Sequence, residues 1–444
     1  MGPSLLAMFA AAAAAPTLLP AQSPPDLDVR TAESAADKVA WIGKNAVAFR
    51  TIDPKDENFT DLGPLRRAIG SARFVLLGGS GDVAVAFAKY RLVRFLHEEM
   101  GFNVLACNAS FFDAEETDRA LDGKAAPHRQ FFSGFEQIFG YNFGQIVVDQ
   151  PGSNAIDILG YARATRGTGN ALHISGFRNA AVGSSFSKYV HELFRFIDGI
   201  DPALAPPADR EAIGKMLAWQ NLTASRRWPK TVPPGLEAVE RLDERLARLP
   251  ANGPDVREIS FYRLTLRSVA AWAGPRAGRL NVVSPDPLYW YAGVWRPNSK
   301  IVVWSNNTAV ERNLSKEQAV AASRFHVPLI GADAIAQALG STDYSIAFTE
   351  IKKAAEALDV LVAGPRPSLS PFDDSFESLL QAAHLPYSFI DFRALPQDHW
   401  LRRPLTARFT PGEQISAIWP DNYDAIIGID LTALKSGHPA GVPR

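Results

Sequence analysis

The chain has 444 residues, with 46 Lys and Arg against 47 Asp and Glu, a formal net charge of −1, eight His and one Cys. That balance offers no basic face to nucleic acid or anionic lipid. A single Cys excludes an intrachain disulfide and a Cys-based zinc cage. Hydrophobic residues at 47% and charged residues at 21% describe an ordinary packed globule.

Residues 4–19 are apolar, uncharged and interrupted by Pro16, and they fall short of the roughly 20 residues that a membrane-spanning helix needs. Leu19-Pro20-Ala21, followed by the polar and Pro-rich stretch Gln22–Asp26, suits a signal-peptidase cut, although no Lys or Arg precedes Arg30. Residues 1–21 are therefore read as an export signal and the protein as periplasmic or secreted. An uncleaved anchor and a mis-assigned start are the alternatives. No further membrane-spanning segment is expected.

The folded part is expected over residues 31–432, with a tail at 433–444. Apolar positions over 34–49 recur at helical intervals, and Asp61 is placed to cap a short helix over Leu65–Ile69. Phe74–Leu77 is an uninterrupted apolar run and reads as a buried strand. Gly78-Gly79-Ser80-Gly81-Asp82 follows, then an amphipathic helix over Val83–Met100 closed by Gly101, then a strand at Asn103–Cys107. This is a βαβ unit with a right-handed crossover.

Further strands are expected at Leu172–Ser175, Ile301–Trp304, Tyr344–Phe348, Val360–Ala363, Phe389–Phe392 and Ala425–Asp430. Helices are expected over 183–198, 208–226, 235–248 and 255–273, and the last three read as a helical insertion or lid at about 208–273. The fold class is α/β, a mixed and mainly parallel sheet flanked by helices.

The glycine loop joins a strand to a helix, a place where backbone N–H groups can hold an anion. It matches no nucleotide-binding fingerprint, since Val83 stands where G-x-G-x-x-G needs glycine. Ser80 fails G-x-S-x-G because Asp82 takes the final glycine position. A tight structural turn, an anion loop and a catalytic serine stay open on the loop alone.

The eight histidines are His97, His128, His173, His191, His326, His384, His399 and His438. No H-x-x-x-H or H-x-x-E-H pair occurs, so no catalytic zinc and no cofactor is expected. His97 is expected on the outer face of its helix and His173 as a hydrogen-bonded structural residue, with His128 and His399 open. Tyr289-Trp290-Tyr291 and Trp295 fit either helix core or the lining of a ligand cleft. Glu115-Glu116 and Asp373-Asp374 read as solvated helix starts.

The ordered set Asp61-Leu62-x-Pro64-Leu65, Val75–Gly78, Arg91–Phe102, Leu172–Phe177, Lys300–Trp304, Gly331, Ala338-Leu339-Gly340-x-x-x-Tyr344, Asp374–Glu377, Phe389–Arg393 and Tyr423–Ile427 resembles the erythromycin esterase family, collinearly over about residues 36–432. The resemblance implies hydrolysis of macrolide lactones by histidines and glutamates in a deep cleft. The family carries them in a G-E-S-x-H-G loop, a Glu after the second strand, a G-F-D and a W-A-H-N-x-H.

This chain departs at every one of these positions. Gly79 matches the first Glu, Asp82 the loop His and Val83 its final Gly. Asn108 matches the second Glu, Arg178 the Asp, and Asn306 and Ala309 the two later histidines. General acid–base help contributes roughly 10²–10⁴-fold to rate. Losing all its carriers together implies an esterase-like protein that binds a small molecule, or regulates, without hydrolysing. The candidate ligand residues are Ser80, Asp82, Asn108, Arg178, Tyr289 and Asn306. An active hydrolase with altered residues, built from Ser80, Asp82, Asn108, Asn306 and either His173 or Arg178, is the alternative.

Overall fold

The computed structural model describes residues 33–79, 83–123, 157–178, 186–223, 235–250, 256–273, 286–313, 339–352, 375–410 and 413–430, with main chain only at a number of them, Asn108, Ser110 and Arg178 included. The export-signal segment 1–21, the loop residues Ser80 and Asp82, His128, the strand at Val360–Ala363, Asp373-Asp374 and the tail 433–444 lie outside the described residues.

Helix α1 (Ala35–Asn45) opens on a capping box, in which the Ser34 hydroxyl accepts from the Asp37 N–H while the Asp37 carboxylate accepts from the Ser34 N–H. It ends earlier than the 34–49 periodicity suggests because β1 (Val47–Ala48) is drawn into the sheet beside β7. Asp61 does not cap α2 (Gly63–Ile69), which starts without a side-chain cap and with proline in its first turn. Its carboxylate instead takes both terminal nitrogens of Arg91, at 3.0 and 2.7 Å, and the Arg50 N–H at 2.9 Å. Arg91 is 2% exposed, so this fork ties the N-terminal segment to the helix that follows the glycine loop.

Strand β2 (Phe74–Leu77) is followed by α3 (Val83–Met100), then β3 (Val104–Ser110) and α4 (Phe111–Leu121). Next come α5 (Ile158–Ala164), β4 (His173–Arg178), α6 (Phe186–Ile200), α7 (Pro207–Thr223), α8 (Leu236–Ala247), α9 (Val256–Ala273) and α10 (Asp286–Trp290). A π-type turn (Tyr291–Trp295) leads to β5 (Ile301–Trp304) and α11 (Asn307–Val310). The chain finishes with β6 (Asp343–Lys352), α12 (Phe376–Ala382), β7 (Tyr387–Asp391), β8 (Leu405–Thr410), β9 (Glu413–Ala417), α13 (Trp419–Asn422) and β10 (Ala425–Asp430).

Eight strands form one sheet in the order β1-β7-β10-β6-β2-β5-β3-β4, while β8 and β9 pair antiparallel on their own. From β10 to β4 every pairing is parallel, and β7 runs against both β10 and β1. Both faces are covered, which is why β2 and β5 read as unbroken apolar runs. Alternation along the strands divides the interior in two. Phe74, Leu76, Val104, Ala106, Ile301 and Val303 face one core, shared with α6, α8 and α9. Val75, Leu77, Leu105, Cys107, Val302 and Trp304 face the other, shared with α3. The three helices expected at 208–273 pack their apolar stripe onto the first core.

Two sequence expectations are corrected here. Glu115 and Glu116 are not solvated; they are 4% and 5% exposed, because α4 turns that face inward against β4. His97 is not on an outer face but 3% exposed, with Nδ1 2.6 Å from the Tyr161 hydroxyl and Nε2 donating to the Asn170 carbonyl at 2.8 Å. Burial lowers its pKa from the usual histidine value.

Candidate functional site

In an open parallel sheet the C-terminal strand ends are where ligands are held. Here Leu77 and Trp304 end β2 and β5, Cys107 of β3 lies opposite Trp304, and one side chain laces β2, β5 and β6 together near Phe348. The Asn307 Oδ1 accepts from the Gly79 N–H at 2.6 Å and from the Phe348 N–H at 3.0 Å, and its Nδ2 donates to the Phe348 carbonyl at 2.8 Å. Its own N–H reaches the Gly79 carbonyl, and the Ser305 N–H reaches the Leu77 carbonyl at 2.9 Å. An amide is suited to this because it donates and accepts from one rigid plane.

The close approach explains the glycines. A Cβ on Gly78 would lie 2.4 Å from the Asn307 Oδ1. Gly79 has φ +114°, and a Cβ there would lie 2.6 Å from Val85, 3.2 Å from the Lys89 Cε and 3.3 Å from Phe348. The place where a side chain at position 79 would start is therefore already filled.

Lys89 comes up from α3 beneath this turn and is 1% exposed. Its Nζ donates to the Ser305 carbonyl at 2.6 Å and lies 5.2 Å from the Trp304 ring centroid and 5.7 Å from that of Phe348. No carboxylate pairs with it among the described residues. Burial holds the amine well below the ordinary lysine range and pushes the neighbouring Cys107 thiol up. The Ser305 hydroxyl is also buried, and it has no hydrogen-bond partner among the described residues.

The residues singled out in the sequence separate in space. Gly79 is at the centre, as just described. Asn306 caps α11, its Oδ1 accepting from the Ala309 N–H at 2.8 Å, while Ala309 is fully buried in a core. Asn108 and Arg178 lie at the far ends of β3 and β4, where the pairing shifts between Cys107 and Ser110 and resumes at Ser110 opposite Arg178. Tyr289 is 43% exposed, whereas Trp290 and Tyr291 are core residues and Trp295 stacks on Trp290 at 5.2 Å.

His173 does not join the site. It begins β4 in register with Val104, which in turn pairs with Ile301, three strand steps or about 10 Å short of the ends that carry Asn307. There its Nδ1 meets Arg166 at 2.7 Å, Arg296 at 3.0 Å and the Asp118 carboxylate at 3.0 Å. Asp118 also receives the Ile174 N–H at 2.7 Å and pairs with Arg166. His173 is thus a hydrogen-bonded structural residue. On the same helix, burial raises the Glu115 carboxyl to about 7, with Arg119 opposing the rise.

Sequence reasoning missed Asn307, Lys89 and Ser305. The signal available for Lys89 was a lone cation inside the apolar run Val83–Tyr90, and for Asn307 its place directly beside the motif position Asn306.

The family model for erythromycin esterase matches residues 97–432. A Bacillus subtilis protein named "Putative hydrolase YbfO" is 20% identical over 424 residues, covering 88% of this chain and 90% of that protein. Erythromycin esterase type II of Escherichia coli is 29% identical over 86 residues, 19% of this chain and 20% of that enzyme. A Bacillus cereus protein of known structure superposes with a TM-score of 0.66 at 17% identity, covering 90% of this chain and 98% of its own. The erythromycin esterase EreC, solved as a His-to-Asn mutant in its open conformation, gives a TM-score of 0.58 at 16% identity, covering 86% and 96%.

Proposed function

The chain belongs to the erythromycin esterase family, and from that premise we propose that it is an exported small-molecule binding or regulatory member that has lost ester and lactone hydrolysis. The observation that carries this reading is the fate of the motif positions. Of the two positions matched to Glu, Asn108 bears an amide, and Gly79 has a φ of +114° and contacts with Val85, Lys89 and Phe348 that leave no start for a carboxylate side chain. Those matched to the two later histidines are Asn306, whose side chain is spent on a helix cap, and Ala309, which is sealed in a core, while the loop His is matched by Asp82, outside the described residues. Of these, Asn306 holds main chain and Gly79 and Ala309 are closely packed.

Ser80, Asp82, Asn108, Arg178, Tyr289 and Asn306 belong to the ligand site on this reading. Export is proposed from the N-terminal sequence; among the described residues no helix is long and apolar enough to cross a membrane.

The alternative, an active hydrolase with altered residues, loses its histidine, because His173 lies at the opposite edge of the sheet. The test is hydrolysis of an aryl acetate by purified protein over a range of pH. The proposal expects a rate indistinguishable from buffer and unchanged in Asp82→Ala. Turnover that disappears in Asp82→Ala would overturn it.

A further inference from the structure

The buried histidine near the end of α3 stands in a chain of hydrogen bonds that is one proton short. The His97 Nε2 must carry a proton, because the Asn170 carbonyl it meets at 2.8 Å can only accept. Its Nδ1 lies 2.6 Å from the Tyr161 hydroxyl, and the same hydroxyl lies 3.0 Å from the Glu98 Oε1. Both are hydrogen-bond distances, yet a phenol has one proton to give. With a neutral imidazole, Nδ1 and the carboxylate compete for that proton. With a proton on Nδ1 every contact is made, since Nδ1 donates to the phenol oxygen and the phenol donates to Glu98.

The surroundings direct the added proton to the imidazole. The Arg94 Nε donates to the same Glu98 oxygen at 3.1 Å, so that carboxylate accepts from both sides. Burial and Glu98 raise the Tyr161 phenol, which keeps its own proton. His97 stands in the last turn of α3, where the helix dipole favours a cation. Burial opposes the charge and lowers the imidazole's pKa, with the Asn170 carbonyl and Glu98 acting against the fall. The other ionisable groups around the chain are Tyr90, whose ring meets that of Tyr161 at 6.2 Å, Glu57, which pairs with Arg94, and Asp157, which caps α5. None of these three hydrogen-bonds to the imidazole. The His97 carbonyl is gripped as well, accepting from the Asn170 Nδ2 at 3.2 Å.

We propose that His97, Tyr161 and Glu98 form an acid-responsive clasp, in which a proton taken up at the His97 Nδ1 turns the Tyr161 hydroxyl onto Glu98 and locks the end of α3 to α5 and to the segment entering β4. One proton enters from solvent and none leaves. The Glu98 side chain is 35% exposed and gives that proton a way in along the chain.

The experiment follows the ring nitrogens of His97 by 15N NMR in full-length, histidine-labelled protein, from about pH 8 to about pH 4, in wild type and Tyr161→Phe. The two roles open to the hydroxyl give opposite signs. If it accepts from the imidazolium, removing it lowers the proton affinity of His97, by about tenfold. If it only donates to the neutral ring, removing it raises that affinity. The clasp predicts the fall, with both ring nitrogens protonated in wild type at the acid end. A rise, or no change, in Tyr161→Phe would overturn it. Denaturant unfolding across the same pH range gives a second reading. The folded His97 pKa lies below its unfolded value, so stability from this group is lost as pH falls. Tyr161→Phe should steepen that acid loss, and an equal or shallower loss would contradict the clasp. Neither reading depends on whether the protein binds a ligand or hydrolyses esters.

Discussion

The two edges of the sheet are built from opposite materials. The N-terminal edge is dense in paired charge: Asp118 with Arg166, Arg296 and His173 at β4, and Asp343 and Asp424 with Arg312 and Arg393 at β6 and β10. The C-terminal edge, where open parallel sheets hold ligands, is tied by the amide of Asn307 and holds the buried amine of Lys89. Among the described residues, the charge at the N-terminal edge is held in ion pairs. Buried ion pairs hold a fold in register without offering a free base. A hydrolytic edge needs a proton acceptor facing open space.

The contrast can be broken first at its charged end. Asp424 accepts from the Ser345 N–H at 2.7 Å and pairs with Arg312 and Arg393. Asp424→Ala takes one of two carboxylate partners from Arg312 and the carboxylate partner of Arg393, and should cost about 3 kcal/mol in denaturant unfolding. Asn307→Ala at the other edge removes three side-chain hydrogen bonds joining β2, β5 and β6 and should cost about 3 kcal/mol by the same measurement. If Asn307→Ala were neutral, the amide would not be what holds the ligand edge together.

Gly79→Ala meets both an unfavourable φ and a contact of 2.6 Å with Val85, and should cost about 2 kcal/mol, visible as a lower Tm. A stability equal to wild type would mean that position 79 still has room for a side chain.

The smallest expected effect is a pH dependence. The Glu115 carboxyl is raised from 4.5 to about 7 in the folded protein, chiefly by burial. The folded state therefore holds this proton more tightly than the unfolded chain does. Its contribution is present in full below about pH 4.5 and is lost as pH rises toward 7. Glu115→Gln should flatten that part of the stability curve by about 1–2 kcal/mol between pH 5 and 8. Glu311, also raised by burial to about 7, leaves a residual slope of the same sign.

Much of the architecture was legible in the sequence. β2, β5 and β10 announce themselves as apolar runs, and α3 and α6–α9 by their periodicity, because burial on one or both faces writes a regular pattern. What was not legible depended on contacts between distant segments. Nothing around Asp61 predicts that Arg91, thirty residues on, would draw it away from its helix. Glu115 and Glu116 read as surface residues because the Arg119 and Lys188 that offset their burial come from elsewhere on the helix and from α6. At the site, the motif positions could be aligned, yet their new occupation could not be read. That Asn306 caps a helix, Ala309 lies in a core and Lys89 packs against Gly79 follows only from how three strands meet.

The most direct measurement of the central claim follows erythromycin itself, incubated with stoichiometric purified protein and read by mass for the gain of one water on the macrolide. The account predicts intact erythromycin after many hours, at every pH from 5 to 9. Accumulation of the ring-opened, hydrated product in the presence of wild-type protein, above the rate in buffer, would contradict it.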